Sequence, residues 1–414
     1  MKIFKNAYFY GTALIAVGTL LGSFFSYLLQ FFLGRTLSIE DFGSFNALLS
    51  LAYIIGVPAS VVGISIVKVV ANLKAAADYS KIKALFTKLS LVFAAGGLVV
   101  FFVGFLLKDY ISQQLNILDT NYIIAFCVYL GILLISSLPG SFLQGLLKYK
   151  ELSFYTVLAS FYRFVLPVVG VYLGFKVSGV YGGMFIGILL AYLTAYLFMY
   201  KDFGHVADVN LDRHLKKILT FSFPVLFVNL GMMILNNVDV ILVKKYFDPE
   251  LAGFYAGTVT LGKIFLFGAG AVTTVMFPLI SSVYAKGEAY TEKFKKLLTL
   301  QVLVAFGGLA VFTTFPKIIT ELFFGDRFLH SVAYLPKFAI FVLLYVLINF
   351  LVMYFLAIEK TRVALFLLPG VLLQFVLILT NHATLYDVIN ANISAGIITL
   401  VLLSLYAKKA GSTT

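Results

Sequence analysis

Tryptophan is absent from the 414 residues, cysteine occurs once and histidine four times. Each scarcity closes off a class of chemistry. A lone Cys127 excludes an internal disulfide and any cysteine-based metal cluster. The histidines, His205, His214, His330 and His382, are scattered over separate connections with no metal-ligand spacing. Asp and Glu together number only 18, and no pair of carboxylates is placed as a sugar-transferring or sugar-cleaving site would need. Charged residues make up 12% of the chain, half the share usual in soluble domains, and hydrophobic residues 61%, at a mean hydropathy of +1.02. This is the composition of a polytopic membrane protein.

Twelve apolar stretches are long enough to cross a bilayer as helices of roughly 20 residues. They lie near 8–33, 44–70, 88–107, 122–146, 153–174, 180–200, 218–243, 253–283, 297–315, 336–358, 363–380 and 387–406. The first is no secretory signal, because its apolar run continues to Leu33 with no small-residue cleavage pattern. Without tryptophan, the aromatic belts at the membrane surfaces fall to the 25 tyrosines. With a cytoplasmic N-terminus, 21 of the 31 Lys and Arg residues fall on the cytoplasmic side and 8 outside. That bias places both termini inside, as an even number of spans requires. The +13 net charge therefore reports topology and calls for no nucleic-acid partner. The basic, amphipathic runs KIKALFTKLS and YTEKFKKLL suit helix extensions lying against anionic headgroups, with partner docking as the alternative.

The stretch GTVTLGKI, Gly257 to Ile264, matches the phosphate-binding loop G-x-x-x-x-G-K-[ST] except at its last position, where Ile264 replaces the Mg²⁺-binding hydroxyl. An internal repeat explains it differently. Shifting the chain by 210 residues aligns LSIEDFGSFNALLSLAYI (37–54) with FDPELAGFYAGTVTLGKI (247–264) without gaps. Glu40 then pairs with Glu250, Gly43 with Gly253, Leu51 with Leu261 and Ile54 with Ile264. Each segment follows the first span of a six-span half, so the chain reads as two parallel six-helix repeats, lobes 1–205 and 206–414. GTVTLGKI is thus part of the eighth span, and Lys263 is a charge inside the membrane that should face protein or water.

The run GRTLSIEDFGSFNALLSL resembles the connection between the first two helices of the polysaccharide-exporter and O-antigen flippase branch of the multidrug/oligosaccharidyl-lipid/polysaccharide exporter superfamily. The residues that carry the resemblance are Arg35, Ser38, Glu40, Asp41, Phe42, Gly43 and Phe45. It continues in NNVDVILVKKYFDPELAGFYAGTVTLGKI, through Asp239, Gly253, Tyr255 and Lys263, and in FPLISSVYAKGE. The resemblance implies an all-α transporter of twelve helices that moves lipid-linked glycans by alternating access, with a cavity between its halves. It implies no cofactor, no metal and no catalytic residue. The implied partners are the lipid-linked oligosaccharide, membrane lipids and the polymerase or glycosyltransferases of glycan assembly, and the implied unit is a monomer in the cytoplasmic membrane.

The polar residues within the spans agree with that picture. Arg163 lies four residues before Pro167, whose missing N–H frees the Arg163 carbonyl, and a charge beside an unpaired acceptor suggests a wet cavity. The alternative is an arginine that snorkels or caps a neighbouring helix. Asp239 and Lys263, on antiparallel spans, either form an ion pair that fixes packing or serve gating and ion coupling. Gln30, Asn46, Gln144, Asn229, Asn236 and Asn237 are either interhelical glue or cavity lining. The candidate substrate-binding set is Arg163, Lys263, Arg35, Asn229, Asn236, Asn237, Gln30 and Asn46, with Asp239 for gating or ion coupling. Pro58, Pro139, Pro224, Pro278 and Pro369 mark kinks, and Gly170/Gly174 and Gly183/Gly187 mark close helix packing.

Two other function classes stay open. A cation-coupled multidrug antiporter of the same superfamily would need carboxylates in its cavity, and a membrane-embedded glycosyl- or acyltransferase would need acids or histidines at the membrane surface. Deep charges that are mostly basic suit an anion, which favours a flippase for polyprenyl-pyrophosphate-linked oligosaccharides.

Overall fold

The computed structural model describes residues 2–203 and 211–411, with side chains for 17–203, 211–220 and 222–408. His205, the lobe boundary at 205/206 and the side chains of Lys2, Lys5 and Lys409 lie outside the described residues. Those residues form fifteen α-helices and contain no strand. In chain order they are α1 (Lys2–Thr36), α2 (Ile39–Ala75), α3 (Tyr79–Leu106), α4 (Lys108–Gln114), α5 (Thr120–Leu133), α6 (Ser137–Gly145), α7 (Tyr149–Tyr172) and α8 (Lys176–Met199). There follow α9 (Asp212–Tyr246), α10 (Pro249–Ala285), α11 (Thr291–Thr314), α12 (Pro316–Phe324), α13 (Leu335–Ala357), α14 (Ala364–Thr380) and α15 (Leu385–Gly411). Twelve candidate spans result, with α5 and α6 joined into one by a 3-10 turn just before Pro139 and with α4 and α12 as short extra helices. The protein is a multi-pass membrane protein, and its all-helical form follows from the need to satisfy every backbone polar group within a segment surrounded by lipid.

Helix ends sharpen the sequence reading. The stretch expected as a connection between the first two spans is almost wholly helical: the chain breaks only at Leu37 and Ser38, then enters α2. Ser38 Oγ accepts from the Asp41 N–H at 3.0 Å, and Glu40 and Asp41 occupy the first turn, where acids complement the helix dipole. The break between α9 and α10 falls at Phe247 and Asp248, 210 residues later, and Pro249 and Glu250 open α10. Both helices then run for 37 residues, about 55 Å, well beyond the hydrocarbon core. Pro58, Pro167, Pro224, Pro278 and Pro369 all lie inside continuous helices.

The chain forms two compact units, 1–37 with 55–223 and 38–54 with 224–414. In the first, α7 packs on α1 and α8, and α5 on α3 and α8. The α7–α8 contact uses small residues: a Cβ on Gly170 would lie 2.4 Å from Gly179 O, and one on Gly183 only 2.3 Å from Pro167 N. Close backbone approach of this kind replaces the hydrophobic drive that lipid removes. Gly174, grouped with Gly170 from spacing, plays another part: its φ of +88° turns the chain out of α7, and nothing lies within 4 Å of its would-be Cβ. Where these helices end, an apolar cluster gathers around Phe86, which meets Phe142 edge-on at 5.0 Å and stacks on Tyr192 at 5.7 Å. In the second unit α13 is the central helix, packed on α10, α11 and α15. A helix apolar on every side is stable there because protein surrounds it.

Candidate functional site

In the first unit Arg163 lines a cavity of about 220 Å³ between α7, α8 and the α5–α6 turn. Gly183 and Gly187 of α8 press against the backbone of α7 at Leu166–Pro167 and Tyr162–Arg163, which fixes the helix around the arginine. Five hydroxyls share the cavity: Ser136, Tyr155, Thr156, Ser160 and Tyr192. Ser136, Thr156 and Ser160 donate to carbonyls three or four residues back, which uses their protons and leaves each oxygen only acceptor capacity. The lining contains no carboxylate. A guanidinium among hydroxyl acceptors can receive an anionic group and the hydroxyls of a sugar.

The second unit holds a buried polar network between α9, α10, α14 and α15. Asp239, 1% exposed, accepts from the Tyr255 hydroxyl at 2.6 Å, the Asn392 amide at 2.7 Å and the Val240 N–H at 2.9 Å. Asn392 Oδ1 accepts from Gln374 Nε2 at 2.9 Å, and that nitrogen also donates to Leu235 O at 3.0 Å. Lys263 does not close an ion pair onto Asp239 as the sequence suggested. Its ammonium donates to Asn237 Oδ1 at 3.0 Å and lies 5.5 Å from the centre of the Tyr53 ring. The carboxylate is already supplied with three donors, so the amide of Asn237 takes the lysine instead. Among the described residues no cluster of three His, Cys, Asp or Glu could hold a metal.

The other candidates are dispersed. Asn236 shares a water-sized cavity of about 10 Å³ with Lys263, Phe338 and Tyr345. Asn46, Asn229 and Asn237 each donate to the carbonyl four residues back in their own helix. Gln30 is half-buried on α1, and Arg35 is exposed in that helix's last turn. Thus Lys263, Asn236, Asn237 and Asp239 come together in one unit, while Arg163, Gln30 and Arg35 belong to the other. Gln374 and Asn392, which complete the Asp239 network, were not singled out from sequence. Their signal was available: Gln374 is the one amide in ALFLLPGVLLQFVLILT.

Residues 9–284 match the family model described as polysaccharide biosynthesis protein. The chain belongs to that family. Its fold is that of the multidrug/oligosaccharidyl-lipid/polysaccharide (MOP) exporters, as the sequence resemblance implied. Similarity to an inward-facing multidrug resistance MATE family transporter of the MOP superfamily has a TM-score of 0.75 at 15% identity, over 94% of this chain and 95% of that one. Lipid II flippase MurJ, in an inward closed conformation, gives 0.75 at 15% identity over 96% of this chain and 87% of that one. A MOP superfamily transporter from Pyrococcus furiosus, described by the reverse polarity of its binding pocket, gives 0.60 at 15% identity over 96% and 95%. At these identities the likeness establishes the shared fold. No curated protein sequence matches this family member.

Proposed function

We propose that this polysaccharide biosynthesis family member is a flippase, not an enzyme, that carries a polyprenyl-pyrophosphate-linked oligosaccharide from the inner to the outer leaflet of the cytoplasmic membrane. The observation that carries the reading is the lining of the Arg163 cavity, one guanidinium and five hydroxyls without a carboxylate. A pyrophosphate brings at least two negative charges into a site of limited water, where a bidentate guanidinium holds it and serine and threonine oxygens accept from the adjoining sugar. The lipid tail stays in the bilayer, and the lobes 1–205 and 206–414 expose the site to each face in turn. Asp239, enclosed by Tyr255 and Asn392, is the carboxylate through which a cation gradient would drive the cycle. That buried carboxylate is also what favours the second reading, a cation-coupled multidrug antiporter. A cationic drug would, however, meet the Arg163 charge at the cavity.

Arg163 variants test the proposal. Arg163→Ala should lose transport of the lipid-linked glycan while keeping expression and thermal stability, and Arg163→Lys should transport poorly because an ammonium cannot form the bidentate contact. Failure of Arg163→Ala to insert, together with normal transport by Arg163→Lys, would assign the arginine to packing and remove the reading.

A further inference from the structure

Apart from the Arg163 cavity, the first unit has a small cleft lined by basic residues, where α2 passes the start of α9. Ser65 of α2 and Ser222 of α9, each 6% exposed, join their hydroxyls at 2.8 Å. Ile66, Val69, Val70 and Leu73 share one apolar cluster with Leu211 and Ile218. Both stretches belong to the same unit, so the two helices are held in fixed register here.

The cleft is lined by Ser65, Lys68, Val69 and Asn72 of α2 and by Lys217 of α9. The four residues of α2 stand at i, i+3, i+4 and i+7 and therefore share one face of the helix. A volume of about 10 Å³ admits one water-sized atom. Lys68, Asn72 and Lys217 are exposed, so their donors can reach a group resting on the cleft. No carboxylate lines it. Asp212 faces Lys88 at 3.9 Å, and Asp78 pairs with Lys81. In the serine pair only one hydroxyl proton makes the bond; when Ser222 donates, the Ser65 proton is left for an oxygen in the cleft.

Room for one oxygen, with two ammoniums, an amide and a hydroxyl around it, suits a phosphate whose other oxygens stay outside. Depth points to its source. Lys68 and Asn72 precede the end of α2 at Ala75 by about 10 Å and 5 Å along the helix axis, on the side that the charge bias assigns to the cytoplasm. That is the level of the inner headgroups. The cleft has no room for a sugar ring and shares no residue with the Arg163 cavity. We propose that it binds the phosphate of an anionic phospholipid of the inner leaflet. This site goes beyond the flippase reading and does not depend on the cargo.

The test is native mass spectrometry of the full chain in detergent, with phosphatidylglycerol, phosphatidylcholine or inorganic phosphate added. Phosphatidylglycerol should bind, and neither of the others at the same concentration should displace it. Lys68→Gln with Lys217→Gln should weaken phosphatidylglycerol binding by about tenfold or more. Asn72→Ala, which leaves the net charge unchanged, should weaken it by about threefold. Arg213→Gln with Lys216→Gln removes the same charge from exposed residues outside the cleft and should change binding by less than about twofold. An equal loss in that charge-matched pair, or no loss with Asn72→Ala, would reduce the site to diffuse attraction and overturn the proposal. Displacement by inorganic phosphate, or preference for a polyprenyl phosphate, would assign the cleft to a soluble anion or to cargo and overturn it as well. None of these measurements uses transport, so their failure leaves the Arg163 test intact, and failure of that test leaves them intact.

Discussion

Two adjacent glycines of α8 offer a controlled test of how the Arg163 cavity is built. An ideal Cβ on Gly183 would lie 2.3 Å from Pro167 N, 2.5 Å from Leu166 C and 2.7 Å from Leu166 O. All three are backbone atoms of α7, so no side chain can rotate away. Restoring ordinary contact requires the two helices to part by about 1 Å, a strain of the kind that costs about 1–3 kcal/mol in packed interiors. Nothing lies within 4 Å of the equivalent atom on Gly182. Both Gly182→Ala and Gly183→Ala gain the same helix preference, roughly 0.5–1 kcal/mol, so their difference isolates the clash. Thermal unfolding in one detergent should therefore rank Gly182→Ala at or above the parent and Gly183→Ala below it. Transport should fall in Gly183→Ala as well, because the displaced α7 backbone carries Arg163. Equal stability of the two alanine variants would refute the close α7–α8 contact and the cavity wall derived from it.

The Asp239 network makes a coupling prediction: Asn392→Leu, which removes a donor from a buried carboxylate, should cost about 1.5–3 kcal/mol. Gln374→Leu added to it should cost less than alone, because its partner Asn392 Oδ1 is already gone, and strict additivity in a double-mutant cycle would show that the chain is not a unit. Asp239→Asn, which retains the shape of the side chain, should fold but lose the response of transport to an ion gradient, and adding Lys263→Met should not restore it. Full recovery in that double variant would take Asp239 out of the coupling mechanism. Topology can be read with single cysteines in the Cys127→Ser background: Ser80→Cys and Ala289→Cys should react only from the cytoplasm and Asn116→Cys only from outside. Labelling of Ser80→Cys and Asn116→Cys from the same side would overturn the twelve-span arrangement.

The number of spans was legible because lipid ties hydropathy to secondary structure: a segment in hydrocarbon must close its own hydrogen bonds, so an apolar run of sufficient length is a helix. That tie ends at the membrane surface, which is where the boundaries were missed. Residues 39–43 hold two adjacent acids and a glycine and read as a connection, yet Ser38 caps them into α2, and the paired breaks at 37–38 and 247–248 restore the register of the repeat. Gly174 failed for a similar reason. Its spacing from Gly170 suited helix packing, but the chain had already reached the end of α7, where a glycine serves the turn.

Site residues were legible one by one and not as partners. A charge or amide within a span is conspicuous against 61% hydrophobic residues, so Arg163, Asp239 and Lys263 stood out. Which spans lie side by side is not written in hydropathy. Asp239 draws its donors from Tyr255, 16 residues on, and from Asn392, 153 residues on, and no periodicity within α9 points to either. The simplest pairing of opposite charges therefore joined Lys263 to Asp239. In the fold, two neutral side-chain donors and a backbone N–H reach the carboxylate, and the Lys263 ammonium donates to Asn237 instead. A buried carboxylate fixed by neutral donors can exchange a proton or a cation without leaving a bare ammonium in contact, whereas a direct Asp–Lys pair would lose its mutual compensation whenever either charge changed.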